Sequence, residues 1–334
     1  MIVSKVPYRV SFLGGGSDYP SWYKEHGGRF LGASIDRYVY VSIRNLPRFF
    51  EHKTRVVWTK TELVNNNNDI EHPAGRSALQ AFNVSDGLEI HYDGDLPARS
   101  GIGSSSAFLV AMLHALQYRA TGKECVSFED RMDLIALATD VERRFMGESG
   151  GIQDQILTGM GGINYLQINP DETYEFFPVG LNLTAPLRYN RHKLLEQHLG
   201  LFYLKPEVPR YSYVSSSTWD KELKHNTDAF MELSDIALEG YSILESNNDI
   251  NQFGRLLDRA WEIKKKISVV STERIDMFYR WIKSLGAIGG KLIGSGKGGF
   301  FLVFAEPEVL KIIGRSMVYV PVRFEYDGAT VLEV

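Results

Sequence analysis

The sequence has little that would stabilise it covalently or anchor it in a membrane. Cys125 is the only cysteine among the 334 residues, which excludes an intrachain disulfide and a metal site built from clustered cysteines. The longest apolar run, around residues 107–113, is far too short to span a bilayer. The apolar stretch 10–13 is flanked by Arg9 and followed at once by glycines, which predicts no signal peptide. We therefore expect a cytoplasmic protein with no membrane partner.

Positive charge is not in excess either. The 37 Lys and Arg residues are balanced by 41 Asp and Glu residues, and the formal net charge is −4. Without a dense basic stripe, we predict no nucleic-acid partner, and an anionic ligand would have to be bound by local groups. With 44% hydrophobic and 23% charged residues, the composition is typical of a soluble globular protein. The length favours two domains.

A P-loop of the form Gly-x-x-x-x-Gly-Lys-Ser/Thr is absent. A different glycine- and serine-rich loop, residues 97–107, leads into apolar residues at helical spacing, which predicts a helix from Ser104 to a stop at Gly122. Unpaired backbone N–H groups at a helix N-terminus favour an anion, and glycines allow its close approach. The alternative is a tight turn with one serine as an ordinary N-cap.

Two further glycine-rich segments each lead to one aspartate. A predicted strand over residues 2–13 runs into three glycines and Asp18, and Gly150 and Gly151 precede Asp154. Asp18 would accept hydrogen bonds from substrate hydroxyls, or it would cap a sharp turn. Asp154 would act in chemistry, or it would only cap a helix.

A third carboxylate lies on the inner face of a predicted helix that begins with a capping box at Ser127. Glu142 is four residues from Ala138 and seven from Ile135, so it lies in or beside the apolar stripe. A carboxylate in that position needs a partner. The candidates are a salt bridge to Arg or Lys, or a magnesium ion bound to nucleotide phosphates.

Near the C-terminus, Gly294-x-Gly296-x-x-Gly299 matches a dinucleotide-binding fingerprint formally. That fingerprint should open a helix, whereas residues 300–304 are Phe-Phe-Leu-Val-Phe and predict a buried strand. The context therefore argues against a dinucleotide site.

Several of these segments together resemble the motifs of the GHMP kinases. Residues 97–107, Pro-x-x-x-Gly-Ile-Gly-Ser-Ser-Ser-Ala, are similar to the family's phosphate-binding motif, and residues 7–19 resemble the first motif of its sugar-specific members. Residues 147–155 resemble the Gly-x-x-Asp-Gln element of galactokinase-like members, and residues 291–299 resemble the third motif. Family members commonly carry a small residue in place of Lys297, so this chain departs from the pattern by one charge.

The resemblance implies an α+β fold of two domains. The first, residues 1–185, would be a ribosomal-S5-domain-2-like ATP-binding domain, and the second, residues 186–334, a ferredoxin-like domain. The active site would lie in the cleft between them.

The resemblance also implies the cofactors ATP and Mg²⁺ and a role for each motif residue. Asp154 would be the catalytic base, and Arg9 would keep it ionised and stabilise charge in the transition state. Ser105 and Glu142 would ligate magnesium. The triphosphate would be held by Pro97, Gly101, Ile102, Gly103, Ser104, Ser105 and Ser106. The substrate would be bound by Gly15, Gly16, Ser17, Asp18, Gly151, Gly296, Lys297 and Gly298.

The first motif is most similar to that of family members that phosphorylate the anomeric hydroxyl of fucose or of D-glycero-D-manno-heptose 7-phosphate. We expect the heptose phosphate as acceptor, and its 1,7-bisphosphate would serve nucleotide-activated heptose synthesis. Lys297, with Arg76 and Arg99 as neighbours, would then bind the acceptor's phosphate. The alternatives are a kinase of a free sugar such as fucose or galactose, an inactive sugar-binding regulator, and a decarboxylase of the mevalonate-diphosphate type. Retention of both Glu142 and Asp154 argues against a regulator.

Overall fold

A computed structural model describes residues 1–148, 150–206, 216–267, 270–294 and 296–334. Its helices are α1 (Pro20–His26), α2 (Pro73–Ala81), α3 (Ser104–Thr121), α4 (Phe128–Arg144), α5 (Gln153–Met160), α6 (Ala185–His198), α7 (Ser216–His225), α8 (Thr227–Leu244), α9 (Asn251–Ile267), α10 (Glu273–Ser284) and α11 (Pro307–Gly314), with a 3₁₀ turn at Asn67–Asp69. Over the described residues, no helix is long and apolar enough to cross a membrane.

The strands form two sheets. They are β1 (Ile2–Leu13), β2 (Gly28–Asn45), β3 (Thr54–Val57), β4 (Thr61–Val64), β5 (Leu88–Gly94), β6 (Ile163–Ile168), β7 (Tyr174–Pro178), β8 (Leu199–Leu204), β9 (Gly289–Leu292), β10 (Gly299–Phe304), β11 (Tyr319–Pro321) and β12 (Thr330–Glu333). The larger sheet has the order β12-β1-β2-β5-β3-β4, and β6 pairs with β2 and carries β7. The smaller sheet has the order β11-β8-β10-β9.

Strand β2 organises the larger sheet because it is 18 residues long and changes partner along its length. On one edge of β2, residues 28–33 pair with β6 and residues 39–45 pair with β5. On the other edge, β1 pairs with β2 between residues 31 and 43. Helices α3 and α8 pack against β1 and β2. The end of β1 and the start of α3 are thereby held in fixed positions next to each other, and both carry motif residues.

Helix α3 is buried on every side along residues 106–116. That burial follows from its sequence, because apolar residues there surround the helix rather than forming a single stripe. Gly122, in the left-handed conformation, ends it. The loop that precedes α3 is therefore attached to a helix that is buried on every side over its central residues.

The predicted elements that carry the motifs are confirmed. The first strand ends at Leu13, the central helix begins at Ser104, and α4 has the predicted capping box, in which Ser127 and Asp130 each accept from the other's backbone N–H. Residues 300–304 are a fully buried strand and not a helix, so the glycines at 294–299 do not open a helix as a dinucleotide-binding fingerprint would.

Other predicted elements are wrong in extent or partner. The stretch 54–60, expected beside the strand at 38–44, instead pairs with β4 and lies parallel to β5, because β5 occupies that edge of β2. The strands expected at 30–35 and 38–44 are one strand, β2. The helix expected over 218–245 is interrupted at Asn226, between α7 and α8. The sequence did not indicate α1, α6, β4 or β7.

The proposed domain division at residue 185 corresponds only in part to the sheets. The smaller sheet lies entirely after that residue, between Leu199 and Pro321. However, β12, which the division assigns to the second domain, pairs antiparallel with β1 in the larger sheet. The last strand therefore belongs to the larger sheet, and the division at residue 185 stays a prediction.

A charge cluster ties β5, the strand that leads to the phosphate loop, to its neighbours. Glu89 lies opposite Arg44 of β2 and Arg55 of β3, and its carboxylate accepts from Arg44 Nε at 2.7 Å and Arg55 Nη1 at 3.0 Å. His91 Nε2 lies 2.9 Å from the same carboxylate. Burial alone would raise the pKa of Glu89, but the hydrogen bonds from His91, Arg44 and Arg55 lower it to about 2.

We predict that Glu89→Gln lowers the free energy of unfolding by about 1–2 kcal/mol at pH 7, a reduced figure because Arg44 is half exposed and screened by solvent. The folded-state pKa lies below the unfolded one, so this stabilisation is present above about pH 4.5 and disappears as the pH falls towards 2. Urea unfolding from pH 7 to pH 3 measures it, with the exposed Glu51→Gln as control. A loss that does not shrink with falling pH would contradict the charge-based account.

Candidate active site

The motif residues line a cleft with a volume of about 1100 Å³. Its wall includes the end of β1, the loop before α3, Glu142 of α4, the start of α5, and Lys264 and Lys291 of the C-terminal half. A second cavity, of about 710 Å³, is lined by residues such as Arg131, His192 and Tyr326 and by none of the predicted site residues. The structure therefore brings most of the predicted residues together in the first cleft.

The phosphate loop leaves the N-terminus of α3 open. The N-cap residue is Gly103, in the left-handed conformation, and it makes no side-chain cap hydrogen bond. A side chain at Gly101 would lie 2.3 Å from the Ile293 carbonyl oxygen, and one at Gly103 would lie 2.9 Å from Arg9 Cγ. Glycine is therefore required at both positions, and the alternative of an ordinary serine N-cap is wrong.

The remaining residues of this loop divide into those that line the cleft and those that hold its shape. Ser104, Ser105 and Ser106 line the cleft, and Ser104 Oγ accepts from the Arg99 backbone N–H at 3.1 Å. Ile102 is buried, and its carbonyl accepts from the Arg9 N–H at 3.2 Å. The Pro97 carbonyl accepts from Ser100 Oγ at 2.6 Å. Pro97 and Ile102 thus stabilise the loop.

Arg9 and Asp154 form a two-pronged ion pair across the cleft. Arg9 Nε donates to Asp154 Oδ1 at 2.7 Å, and Nη2 donates to Oδ2 at 2.6 Å. The third guanidinium nitrogen, Nη1, donates to the Gly101 carbonyl. Arg9 is almost fully buried, whereas the Asp154 side chain, in the first turn of α5, is 31% exposed. This geometry fixes a carboxylate at the cleft surface beside the phosphate loop.

Asp18 lies beneath the start of α5. Its carboxylate accepts from the Gly16 N–H at 3.1 Å and the Gln153 N–H at 3.1 Å. Burial raises its pKa, and the neighbouring Asp154 adds to the shift. A side chain at Gly151 would lie 1.9 Å from Asp18 Oδ2, so this glycine makes room for the carboxylate.

The other residues of the first motif have different surroundings. Gly15, Gly16 and Asp18 line the cleft. Ser17 is buried. Its hydroxyl oxygen lies 2.8 and 2.7 Å from the Gly14 and Arg29 carbonyl oxygens, which share its single proton, and it accepts from the Arg29 N–H. These bonds hold the turn. Ser17 does not line the cleft in the part of the chain described, and its predicted role in substrate binding stays a prediction.

Glu142 is a buried carboxylate, and it forms no ion pair with a cation among the described residues. Its side chain accepts a hydrogen bond from Gln155 Nε2. Burial, together with the nearby carboxylates Glu148 and Asp154, raises its pKa to about 8. Of the two partners predicted for Glu142, the salt bridge is not found in the described part of the chain. Glu142 and Ser105 both line the cleft, and this donor set suits a divalent cation.

The third motif contacts the phosphate loop through one glycine. A side chain at Gly294 would lie 2.6 Å from Gly101 Cα. Gly296 packs on Val270 and Gly298 on Pro206, with the same lack of space, and the Lys297 N–H donates to the Val270 carbonyl at 2.7 Å. These three residues do not line the cleft in the part of the chain described, and their predicted role in substrate binding stays a prediction. Ser149 and Ser295 of the quoted motifs lie outside the described residues.

Two lysines in the cleft were not predicted. Lys264 Nζ donates to the Gly294 carbonyl at 2.8 Å, and Lys291 Nζ donates to the Phe12 carbonyl at 2.8 Å. Burial lowers the pKa of both, that of Lys264 to about 8, and the positive charge of Arg9 contributes. The sequence held a signal for Lys264, because it lies three residues after Trp261 and seven after Leu257, on the apolar face of α9.

Aromatic side chains line the cleft beyond the phosphate loop. The His72 ring lies 4.9 Å from the Trp58 ring and 4.5 Å from the Phe108 ring, and Tyr92 lies 5.0 Å from Phe108. Pro73 and Ala74 complete this end. Flat apolar surfaces of this kind suit a planar ring such as a nucleotide base.

Comparison with known proteins identifies the family. The GHMP kinase N-terminal domain model matches residues 70–162, and the GHMP kinase C-terminal model matches residues 241–318. The chain is 23% identical to a D-glycero-alpha-D-manno-heptose 7-phosphate kinase from Campylobacter jejuni, over 96% of this chain and 95% of the relative. It is 26% identical to a galactokinase from Thermotoga maritima, over 94% of this chain and 92% of the relative.

Solved structures have the same fold. A D-glycero-D-manno-heptose 1-phosphate kinase from Bacteroides thetaiotaomicron superposes with a TM-score of 0.76, at 23% identity over 100% of this chain and 99% of the other. A galactokinase from Lactococcus lactis, complexed with galactose, gives 0.65 at 15% identity over 100% and 95%. The two family models together match more than half of the chain. The chain therefore belongs to the GHMP kinase family, has its two-domain α+β fold, and is an ATP-dependent kinase.

Proposed function

We propose that the chain transfers the γ-phosphoryl group of ATP to the anomeric C1 hydroxyl of D-glycero-D-manno-heptose 7-phosphate. The observation that carries the phosphotransfer is the Arg9–Asp154 pair, which lies between an open helix N-terminus and the buried carboxylate of Asp18. The substrate is supported by the first motif and by the relatives named for heptose phosphates. The product would be the 1,7-bisphosphate, used in nucleotide-activated heptose synthesis.

The proton of the acceptor hydroxyl would pass to Asp154. The two hydrogen bonds from Arg9 fix the carboxylate in position, and the 31% exposure of Asp154 leaves it accessible to a hydroxyl in the cleft. Asp18 would accept hydrogen bonds from other hydroxyls of the sugar and so orient C1 towards Asp154.

The nucleotide would extend from the aromatic end of the cleft to the phosphate loop. The base would lie among Trp58, His72 and Phe108, and the phosphates would accept from the N–H groups at the start of α3. Ser105 and Glu142 would hold Mg²⁺, which neutralises phosphate charge when bound. An ion there would also restore the ionised form of Glu142, whose pKa burial raises.

A kinase of a free sugar is the second candidate, because the relatives include galactokinases. An inactive sugar-binding regulator is disfavoured. Such a protein needs neither a base held by an arginine nor a buried carboxylate beside the phosphate loop, and this cleft has both.

Asp154→Asn should lower kcat by about 10²- to 10⁴-fold, because the amide keeps the size of the side chain but cannot accept the proton. Acceptor affinity should change less than turnover. Steady-state kinetics with ATP and the heptose phosphate measure both, with the exposed Asp140→Asn on α4 as control. Unchanged turnover would show that Asp154 only positions the hydroxyl.

Glu142→Ala should abolish most magnesium-dependent phosphotransfer, lowering the rate by orders of magnitude while the fold is retained. The experiment is a magnesium titration of the initial rate, with thermal unfolding to verify the fold and the exposed Glu124→Ala as control. Near wild-type activity at saturating magnesium would overturn the metal assignment.

The substrate is decided by kcat/KM for heptose 7-phosphate, free heptose, fucose and galactose. We expect the phosphorylated sugar to be preferred, since a phosphate offers charge-assisted hydrogen bonds that a free sugar lacks. A free sugar with equal or higher kcat/KM would overturn the proposal that heptose 7-phosphate is the acceptor.

Lys297→Met, compared with the exposed Lys123→Met, tests the predicted phosphate contact separately. We expect Lys297→Met to lower kcat/KM for the sugar phosphate more than kcat/KM for the free sugar. An equal effect on both acceptors would reject the assignment of Lys297 to the acceptor's phosphate, but not the proposed substrate.

A further inference from the structure

We propose that Lys264 and Lys291, with Arg9, form a buried cation cluster that binds the phosphoryl group during its transfer. The inference rests on the proposed function and adds two catalytic residues to it. Both lysines lie in the C-terminal half of the chain, whereas Arg9 and Asp154 lie in the N-terminal half.

Each lysine is held by one carbonyl and lacks a carboxylate partner. Lys264 Nζ donates to the Gly294 carbonyl, and Lys291 Nζ donates to the Phe12 carbonyl, each at 2.8 Å. Neither ammonium forms an ion pair with a carboxylate in the described ranges. The charge of Arg9 acts on both lysines, and the charge of Lys264 also acts on Lys291. An ammonium has three N–H donors, so each lysine has donors left for a further acceptor.

This arrangement is costly in the absence of an anion. Lys291 is only 5% exposed, and burial lowers its pKa well below the usual value. A buried cation without a counter-charge destabilises the folded protein. Arg9 does not relieve the repulsion, because its own charge is already matched by Asp154. The cluster therefore has an excess of positive charge and spare donors, which suit an oxygen-rich anion.

The position of the cluster identifies which anion. Gly294, whose carbonyl holds Lys264, lies directly against Gly101 of the phosphate loop, and Arg9 Nη1 donates to the Gly101 carbonyl. Phe12, whose carbonyl holds Lys291, lies within the first motif, two residues before Gly14. The cations thus lie where the nucleotide phosphates and the acceptor hydroxyl must meet. The acceptor's own phosphate is attached at the opposite end of the sugar from C1.

The chemical step accounts for the charge. The bond between the γ-phosphorus and the oxygen that bridges it to the β-phosphorus breaks, a bond from phosphorus to the acceptor oxygen forms, and the hydroxyl proton passes to Asp154. The products are the sugar 1-phosphate ester and ADP. During transfer, negative charge spreads over the three non-bridging oxygens of the phosphoryl group. Ammonium groups fixed beforehand by backbone carbonyls would stabilise that charge without further reorganisation.

The test compares Lys264→Met and Lys291→Met with Lys266→Met. The control removes an exposed lysine from α9, the helix that carries Lys264. We expect each of the first two to lower kcat by about 10²- to 10³-fold, as for loss of one donor to a developing charge. KM for the acceptor should stay within about three-fold. Lys264→Arg, which keeps a cation, should retain more activity than Lys264→Met, and Lys266→Met should behave as wild type.

Thermal unfolding supplies a readout other than activity. Without ligand, Lys264→Met should be at least as stable as wild type, because a partly buried charge without a carboxylate partner has been removed. ADP with magnesium should stabilise wild type and variant alike. Adding aluminium fluoride and the acceptor, which together imitate the phosphoryl group in transfer, should raise the unfolding temperature of wild type further but not that of the variant. If Lys291→Met does not fold, the Lys264 variants alone decide the outcome.

Three results would overturn the inference. One is a kcat unchanged in Lys264→Met, and another is equal stabilisation of wild type and variant by aluminium fluoride. The third is a rise in KM confined to the phosphorylated acceptor, which would assign the lysines to the acceptor's phosphate. In all three cases the wild-type enzyme remains a sugar kinase. The proposed function fails separately, if wild type phosphorylates no sugar or sugar phosphate.

Discussion

The hydrogen bonds of Arg9 are the interaction on which the rest of the site depends. One guanidinium group joins the first strand, the phosphate loop and the first turn of α5, because its three nitrogens bond Asp154 twice and the Gly101 carbonyl once. Its backbone N–H also bonds the Ile102 carbonyl. Three segments that are distant in sequence are thereby held next to one another by a single planar group. A lysine could supply the charge at this position but not the forked geometry.

Around that group, the cleft contains charges that a purely structural protein would avoid. Glu142 has a pKa raised by burial, and Lys264 and Lys291 have pKa values lowered by burial. The sheets, by contrast, use matched charges, as in the Glu89 cluster. The protein thus loses stability at the cleft and recovers it in the sheets, which is the distribution expected when the unmatched groups are completed by ligands.

The sequence predicted those parts of the site that depend on local chemistry. The open helix start at Ser104 followed from glycines and helical spacing, and the inward position of Glu142 followed from its place in an apolar stripe. The roles of Arg9 and Asp154 required the family resemblance, because 145 residues separate them and no local pattern joins them. Lys291 could not be found in the same way. It lies in a four-residue strand in which every residue is buried, so nothing in the pattern distinguishes its direction.

The pairing of β12 with β1 has a consequence for how the chain is made. Strand β1 precedes the partner on its outer edge, residues 330–333, by more than 300 residues, so it is synthesised well before that partner. Until then β1 has an unpaired edge, which in a half-made chain is a template for pairing with other molecules. The long sequence separation of this contact also makes its formation slow. The nascent protein therefore depends on protection of that edge until β12 has been synthesised.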